Sequence, residues 1–153
     1  MTLEEVMKNF TFLNDEEKKL IEEAGFQEGH VDNFKVMEHF IIKGRLDTVK
    51  KAIENGIDVN LAENGGMGSS LLQIAIRFDQ MDIFEYLIEK GADINFQDLV
   101  GWTPLMEAIM DDKPAFGKRL VELGCDLDIA NQRGATAKML AMKFSRQDFL
   151  GFL

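Results

Sequence analysis

The stretch DLVGWTPLMEAI, residues 98–109, decides how the rest of the chain is read. Asp98 and Gly101 mark a turn, and Thr103-Pro104 opens a helix. A threonine side chain accepts a first-turn N–H, and proline suits a position whose N–H has no partner in the helix. Leu105, Ala108 and Ile109 then keep helical spacing. Leu99, Val100 and Trp102 have no such assignment. Trp102 is the only tryptophan of the chain, and it stands at the lip of the turn rather than in the helix.

The pattern returns at a fixed interval. Gly68, Gly101 and Gly134 lie 33 residues apart, as do Ala75, Ala108 and Ala141. GSSLLQIAIRF (68–78), GWTPLMEAIMD (101–111) and GATAKMLAMKF (134–144) are three versions of one helix start. LIEKGADIN (87–95) and LVELGCDLD (120–128) are two versions of one helix end. KAIENGIDVN (51–60) is an earlier version, offset by 35, with a two-residue insertion at NGGMG (64–68). A sustained period of this length signals stacked units, each too small to bury its own apolar face.

Each unit reads as turn, helix, short break, helix, loop. DDKP (111–114) ends one helix, and Pro114 suits the first turn of the next. Phe116, Leu120 and Leu123 form that helix's apolar stripe, and Gly124 stops it. In the preceding unit Asp82 is expected to cap the second helix and Gly91 to end it. Val36, Met37, Phe40 and Ile41 share one face of a helix over 33–43. Residues 3–24 read as one helix or a helix pair, with Asn14 and Glu17 as a capping box and Gly25 as a stop. Phe10, Phe12, Leu13, Leu20 and Ile21 are available there to cover the open end of the stack.

GWTPLMEA and LIEKGADIN resemble the repeat of the ankyrin family. GRLDTVKKAIENGIDVN (44–60) fits it from the inter-helix break onward, and GSSLLQIA and GATAKMLA fit through the period. The resemblance implies an all-α fold: an ankyrin-repeat solenoid of stacked helix-turn-helix units with hairpin-like tips. The expected units are 33–66, 67–99, 100–132 and 133–153. Residues 1–32 are expected to form an acidic helical cap, with a separate interaction element as the alternative. Met106 departs from the family's histidine, and Lys138 stands where the repeat buries leucine. Together with a shortened second helix, Lys138 suits a terminal capping unit with a polar outer face.

A chain of 153 residues suggests one domain. Its net charge of −10 argues against nucleic acid and anionic membrane, which need clustered Lys and Arg, and admits a basic protein partner. Residues 1–33 hold nine acidic and three basic side chains, a balance of −6. Glu4 and Glu5 stand where a secretory signal carries basic residues, and Cys125 is the only cysteine, so a cytoplasmic setting is expected.

No spacing supports catalysis, a cofactor or a metal. His30 and His39 lie nine residues apart, without the i,i+4 spacing of a metal-binding helix. NGGMG lacks the following Lys-Ser/Thr of a phosphate loop. Cys125 takes the alanine position of the repeat ending and reads as a small packed residue. Asp111 and Asp112 read as a solvated turn.

Recognition of a protein partner remains. The family resemblance places binding on the concave side, built from tips and first helices. Phe96, Leu99, Val100 and Trp102 are large and apolar in a loop that would ordinarily be polar. Met67 belongs to the adjacent tip. Gln73, Arg77, Phe78, Met106, Glu107, Met110 and Asp111 come from first helices on the same side. The expectation is a monomeric, non-catalytic interaction module, acting as an immunity-type inhibitor of a basic partner. The alternative is a structural repeat protein that self-associates through its tips.

Overall fold

The computed structural model describes residues 1–153. It contains ten α-helices and no strand. α1 (Leu3–Met7) runs into a 3₁₀ turn at Lys8–Phe10 and is followed by α2 (Asp15–Glu22). Four helix pairs come next: α3 (Asn33–Ile42) with α4 (Leu46–Glu54), α5 (Leu71–Arg77) with α6 (Met81–Glu89), α7 (Pro104–Met110) with α8 (Pro114–Glu122), and α9 (Ala137–Lys143) with α10 (Gln147–Leu150). First helices stack in the order α3, α5, α7, α9, and α4 packs on α6 in a second layer.

The first helices share one way of starting. Asp32, Ser70, Thr103 and Thr136 each accept the N–H three residues on, satisfying a donor that the helix leaves free. Pro104 and Pro114 occupy first-turn positions of α7 and α8. The second helices start differently. Asp82 does not cap α6, because the helix begins at Met81 and Gln80 holds the cap position. Its carboxylate instead accepts the next N–H, from Ile83 at 2.8 Å.

That difference follows from the break between paired helices. Asp79, Asp112 and Ser145 have φ of 60°, 54° and 54°, and Gly44 holds the corresponding place in the first pair. One left-handed residue reverses the chain between helices, and the next holds the cap position of the second helix. Aspartate tolerates this conformation better than most side chains.

The core is continuous from end to end. Phe34, Val36, Met37, Phe40 and Ile41 of α3 are buried, as are Leu71, Leu72, Ile74, Ala75 and Ile76 of α5. Ala75, Ala108 and Ala141 are fully buried, so small residues occupy the closest helix contacts. Val6, Phe10, Leu13 and Ile21 join the same core, with Phe12 and Leu20 packed at its margin. The N-terminal stretch therefore forms two short helices rather than one.

Glu17 fastens that stretch to the stack. It closes the capping box with Asn14, and its other carboxylate oxygen accepts from Thr48 Oγ1 and Lys51 Nζ of α4, both at 2.9 Å. Burial alone would raise this carboxyl. The bonds from Lys51, Asn14 and Thr48 outweigh it and hold the group below its ordinary range.

Candidate functional site

The tips are built by side chains that replace missing backbone bonds. Asp98 accepts N–H bonds from Val100 at 3.0 Å and Trp102 at 2.8 Å through one carboxylate oxygen, while its own N–H donates to the Trp102 carbonyl at 3.0 Å. Asn131, 33 residues later, does the same with Arg133 and Ala135. Antiparallel bridges pair Ala62 with Ser70 and Ala130 with Thr136, so the outer two tips are hairpin-like.

Neighbouring tips are also bonded to each other. The Leu99 N–H donates to the Met67 carbonyl at 2.9 Å, and the Gln132 N–H donates to the Val100 carbonyl at 3.2 Å. Gln97 Nε2 bridges the Gly101 and Ala130 carbonyls. This close approach dictates glycine at two places. At Gly101, φ is +81° and a Cβ would lie 2.8 Å from the Gln132 backbone nitrogen. At Gly68, φ is +68° and a Cβ would collide with the Leu99 side chain.

The repeat endings carry a parallel device. Asp58, Asp93 and Asp126 each accept the N–H two residues on. Asn60 and Asn95 then accept the N–H of Asp93 and Asp126 in the following unit, at 2.8 and 2.7 Å. The aspartate shapes its own loop, and the asparagine ties that loop to the next.

This architecture divides the sequence-derived candidates. Leu99 is 60% exposed and Met67 41%, on adjacent bonded tips. Phe78, just past the end of α5, is also exposed, and Asp111 stands in solvent. Phe96, Val100, Trp102 and Met110 are half-buried, and Trp102 packs against the core. Three expectations are corrected. Met106 is only 1% exposed, because α9 covers this face of α7. Gln73 is fully buried: its carbonyl oxygen accepts the Ser70 N–H, and its amide donates to the Trp102 carbonyl at 3.2 Å. Glu107 is buried and accepts from Arg77 Nε at 2.8 Å, while Arg77 Nη2 reaches Ser69 at 3.1 Å. Burial pushes the Glu107 carboxyl up despite this guanidinium. Met106, Gln73 and Glu107 hold units together and present no surface, and Arg77 is engaged within the molecule.

A helix pair thus recurs four times, joined by bonded tips and by two asparagine-tied endings. The sequence comparison agrees with that geometry: a model of ankyrin repeats in three copies matches residues 16–98 and 72–153. The chain belongs to the ankyrin-repeat family.

Relatives share the repeats at moderate identity. Rat ankyrin repeat and SAM domain-containing protein 6 is 35% identical over 112 residues, covering 72% of this chain and 12% of that protein. Mouse protein phosphatase 1 regulatory subunit 12A is 34% identical over 96 residues, covering 63% of this chain and 9% of its own length. Human protein phosphatase 1 regulatory subunit 27 is 34% identical over 94 residues, covering 61% of this chain and 60% of that protein. The chain therefore spans about a tenth of the two longer relatives and somewhat over half of the shorter one.

Seen as ankyrin units, two features escaped the sequence reading. The left-handed row Gly44, Asp79, Asp112 and Ser145 carries a readable signal, since the last three lie 33 residues apart. The residue after each reaches back one unit: Gln80 lies against Gly44, Lys113 pairs with Asp79 at 3.5 Å, and Arg146 pairs with Asp112 at 3.3 Å. Arg146 also donates to the Ile109 and Met110 carbonyls, both at 2.9 Å, capping the end of α7. A concavity of about 580 Å³ lies away from the tips between α1 and α2, where Leu3, Met7 and Ile21 are rimmed by charges of both signs. No group of three or more His, Cys, Asp or Glu side chains is placed to hold a metal ion, and no helix is long and apolar enough to cross a membrane.

Proposed function

We propose that this ankyrin module is a non-catalytic, monomeric protein of the cytoplasm that binds a basic protein partner through its tips and blocks that partner's action. The observation that carries the reading is the Met67–Leu99 pair. Two large apolar side chains are exposed on adjacent tips whose backbones are bonded together, so a partner meets a surface already ordered. Phe96, Val100 and Trp102 belong to the Leu99 tip, with the half-buried Trp102 adding contact area, while Phe78, Met110 and Asp111 stand at the far ends of α5 and α7 and would extend the surface along the first helices. Ankyrin repeats are protein–protein interaction modules, and two of the relatives are named as regulatory subunits, which supports action by binding rather than by chemistry. A net charge of −10 favours association with a basic surface.

The test is affinity capture with the wild-type chain and with Leu99→Asp, whose exposed site leaves the core intact. The expected result is a basic partner lost from the variant, with a wild-type association rate that falls as salt rises. Unchanged recovery and affinity would remove the tips from the mechanism. Sedimentation tests self-association: a monomer is expected, whereas a dimer abolished by Leu99→Asp would make the chain a structural, self-associating repeat.

Residues 1–32 are read with it as the cap of the module, since Val6, Phe10 and Ile21 bury their side chains in the shared core. The family match starts at residue 16, inside that segment. Removing residues 1–32 is expected to lower the melting temperature. If the shortened chain melts like the parent, this segment is an interaction element instead.

A further inference from the structure

The outer face of α9 carries a second surface, with the opposite charge preference. Lys138, Met139, Met142 and Lys143 fall at i, i+1, i+4 and i+5 and share one side of the helix. All four are exposed, Met139 at 56% and Met142 at 62%, while Ala137, Leu140 and Ala141 on the other side are buried. In register with the preceding units, Met139 matches Met106 and Gln73, and Met142 matches Ile109 and Ile76. Those four positions are buried, in helices that each pack on the first helix of the next unit. The α9 face is thus continuous in kind with the α5–α7 and α7–α9 interfaces.

Its charge is unlike the rest of the molecule. Residues 133–153 carry Arg133, Lys138, Lys143 and Arg146 against Asp148, a balance of +3 in a chain of −10. A polar capping face explains Lys138 but not two exposed methionines, whose flexible thioether side chains adapt to varied apolar partners. A second copy is a poor occupant. Two α9 faces would set lysines against lysines, and at the acidic end of the stack Val6, Phe10 and Ile21 are fully buried, leaving Leu3 and Met7 half-buried among charges of both signs.

We propose that this face docks an amphipathic helix of a partner protein, with a Leu/Ala stripe over Met139 and Met142 and carboxylates against Lys138 and Lys143. The site is independent of the tips, so one chain engages a basic surface and an acidic helix at separate places.

The experiment uses a labelled, stapled helical peptide with Leu and Ala at i, i+3, i+4 and i+7 and Glu on both flanks, against the same peptide flanked by Lys. Fluorescence polarisation should show the Glu peptide binding at least tenfold tighter. Met139→Asp/Met142→Asp should weaken it tenfold or more while leaving the melting temperature and tip binding unchanged. Absent binding, equal binding of both peptides, or insensitivity to the double variant would overturn the proposal. Peroxide footprinting of the chain without peptide adds a second readout. Rapid oxidation of Met139 and Met142, slowed by the Glu peptide, is expected. Protection in the absence of peptide would mean that the face is already covered, and would equally overturn it.

Discussion

Single side chains here do work that regular backbone bonding does elsewhere. Asp98 is buried and satisfies two N–H groups of the tip that presents Leu99. Asp98→Ala should therefore cost about 2 kcal/mol, the scale of charged hydrogen bonds lost in a buried place. Asp98→Asn should cost much less, because Asn131 performs the same task one unit later. Urea unfolding of the two variants checks the difference. His39 gives a pH dependence. Its Nε2 is enclosed without a hydrogen-bond partner, and its ring stands edge-on to Phe26, with centroids 5.8 Å apart. Burial, with the Lys43 cation adding to it, pulls the His39 pKa below the ordinary 6.5. As pH falls through 6.5 the unfolded chain takes up this proton before the folded one does. Stability from His39 is thus complete above that range and declines as pH drops toward the lowered folded value. The melting temperature of the wild type should fall between pH 7.5 and 5.5, and His39→Leu should flatten that slope. Glu17, held below its ordinary range, loses its contribution only in more acid solution, so the two windows separate.

At the scale of elements, the break between paired helices is the demanding point. Asp112 sits at φ 54° between α7 and α8. A β-branched side chain is strained there, so Asp112→Val should lower stability by about 1–2 kcal/mol, while Asp112→Gly should stay near neutral. The pair with Arg146 decides little, because Asp112 is mostly exposed and exposed ion pairs contribute about 0–1 kcal/mol. Thermal melts of both variants test this ordering. The same elements show what was readable in advance. Caps at Thr103, Pro104 and Asn14 depend on residues within a turn of the helix they start, so local sequence carried them. Asp82 lies off the cap because the break between paired helices works by left-handed geometry rather than by a capping side chain.

At the scale of the whole molecule, units are joined by specific polar links as well as by the core. Arg77 of α5 and Glu107 of α7 span two units, and Glu107 is nearly sealed from water. Arg77→Met would leave a buried carboxylate without its cation, at a cost of about 3–5 kcal/mol. Arg77→Met/Glu107→Leu should recover most of that loss, since it removes the desolvated charge as well. If the double variant is no more stable than the single one, the pair is not the link proposed here. Because each unit contacts only its neighbours, the loss should also loosen amide exchange on both sides of the α5–α7 boundary.

The amino-acid sequence alone determined the period, the starts of the first helices, the glycine stops, and the family. These rest on short-range capping, glycine conformations and a spacing repeated several times. Which of the repeated side chains face water was decided only by stacking. Met106 and Met139 occupy the same register and have similar local sequence, yet one is sealed by the next helix and the other is open. Gln73 and Glu107 read as surface because they are polar, and only the approach of a neighbouring unit supplied the bonds that permit their burial. Trp102, conspicuous in the sequence, ends half-buried against the core, and its less conspicuous neighbour Leu99 holds the exposed place. Exposure depends on what lies one unit away, 33 residues off in the chain, and no window of local sequence contains that information.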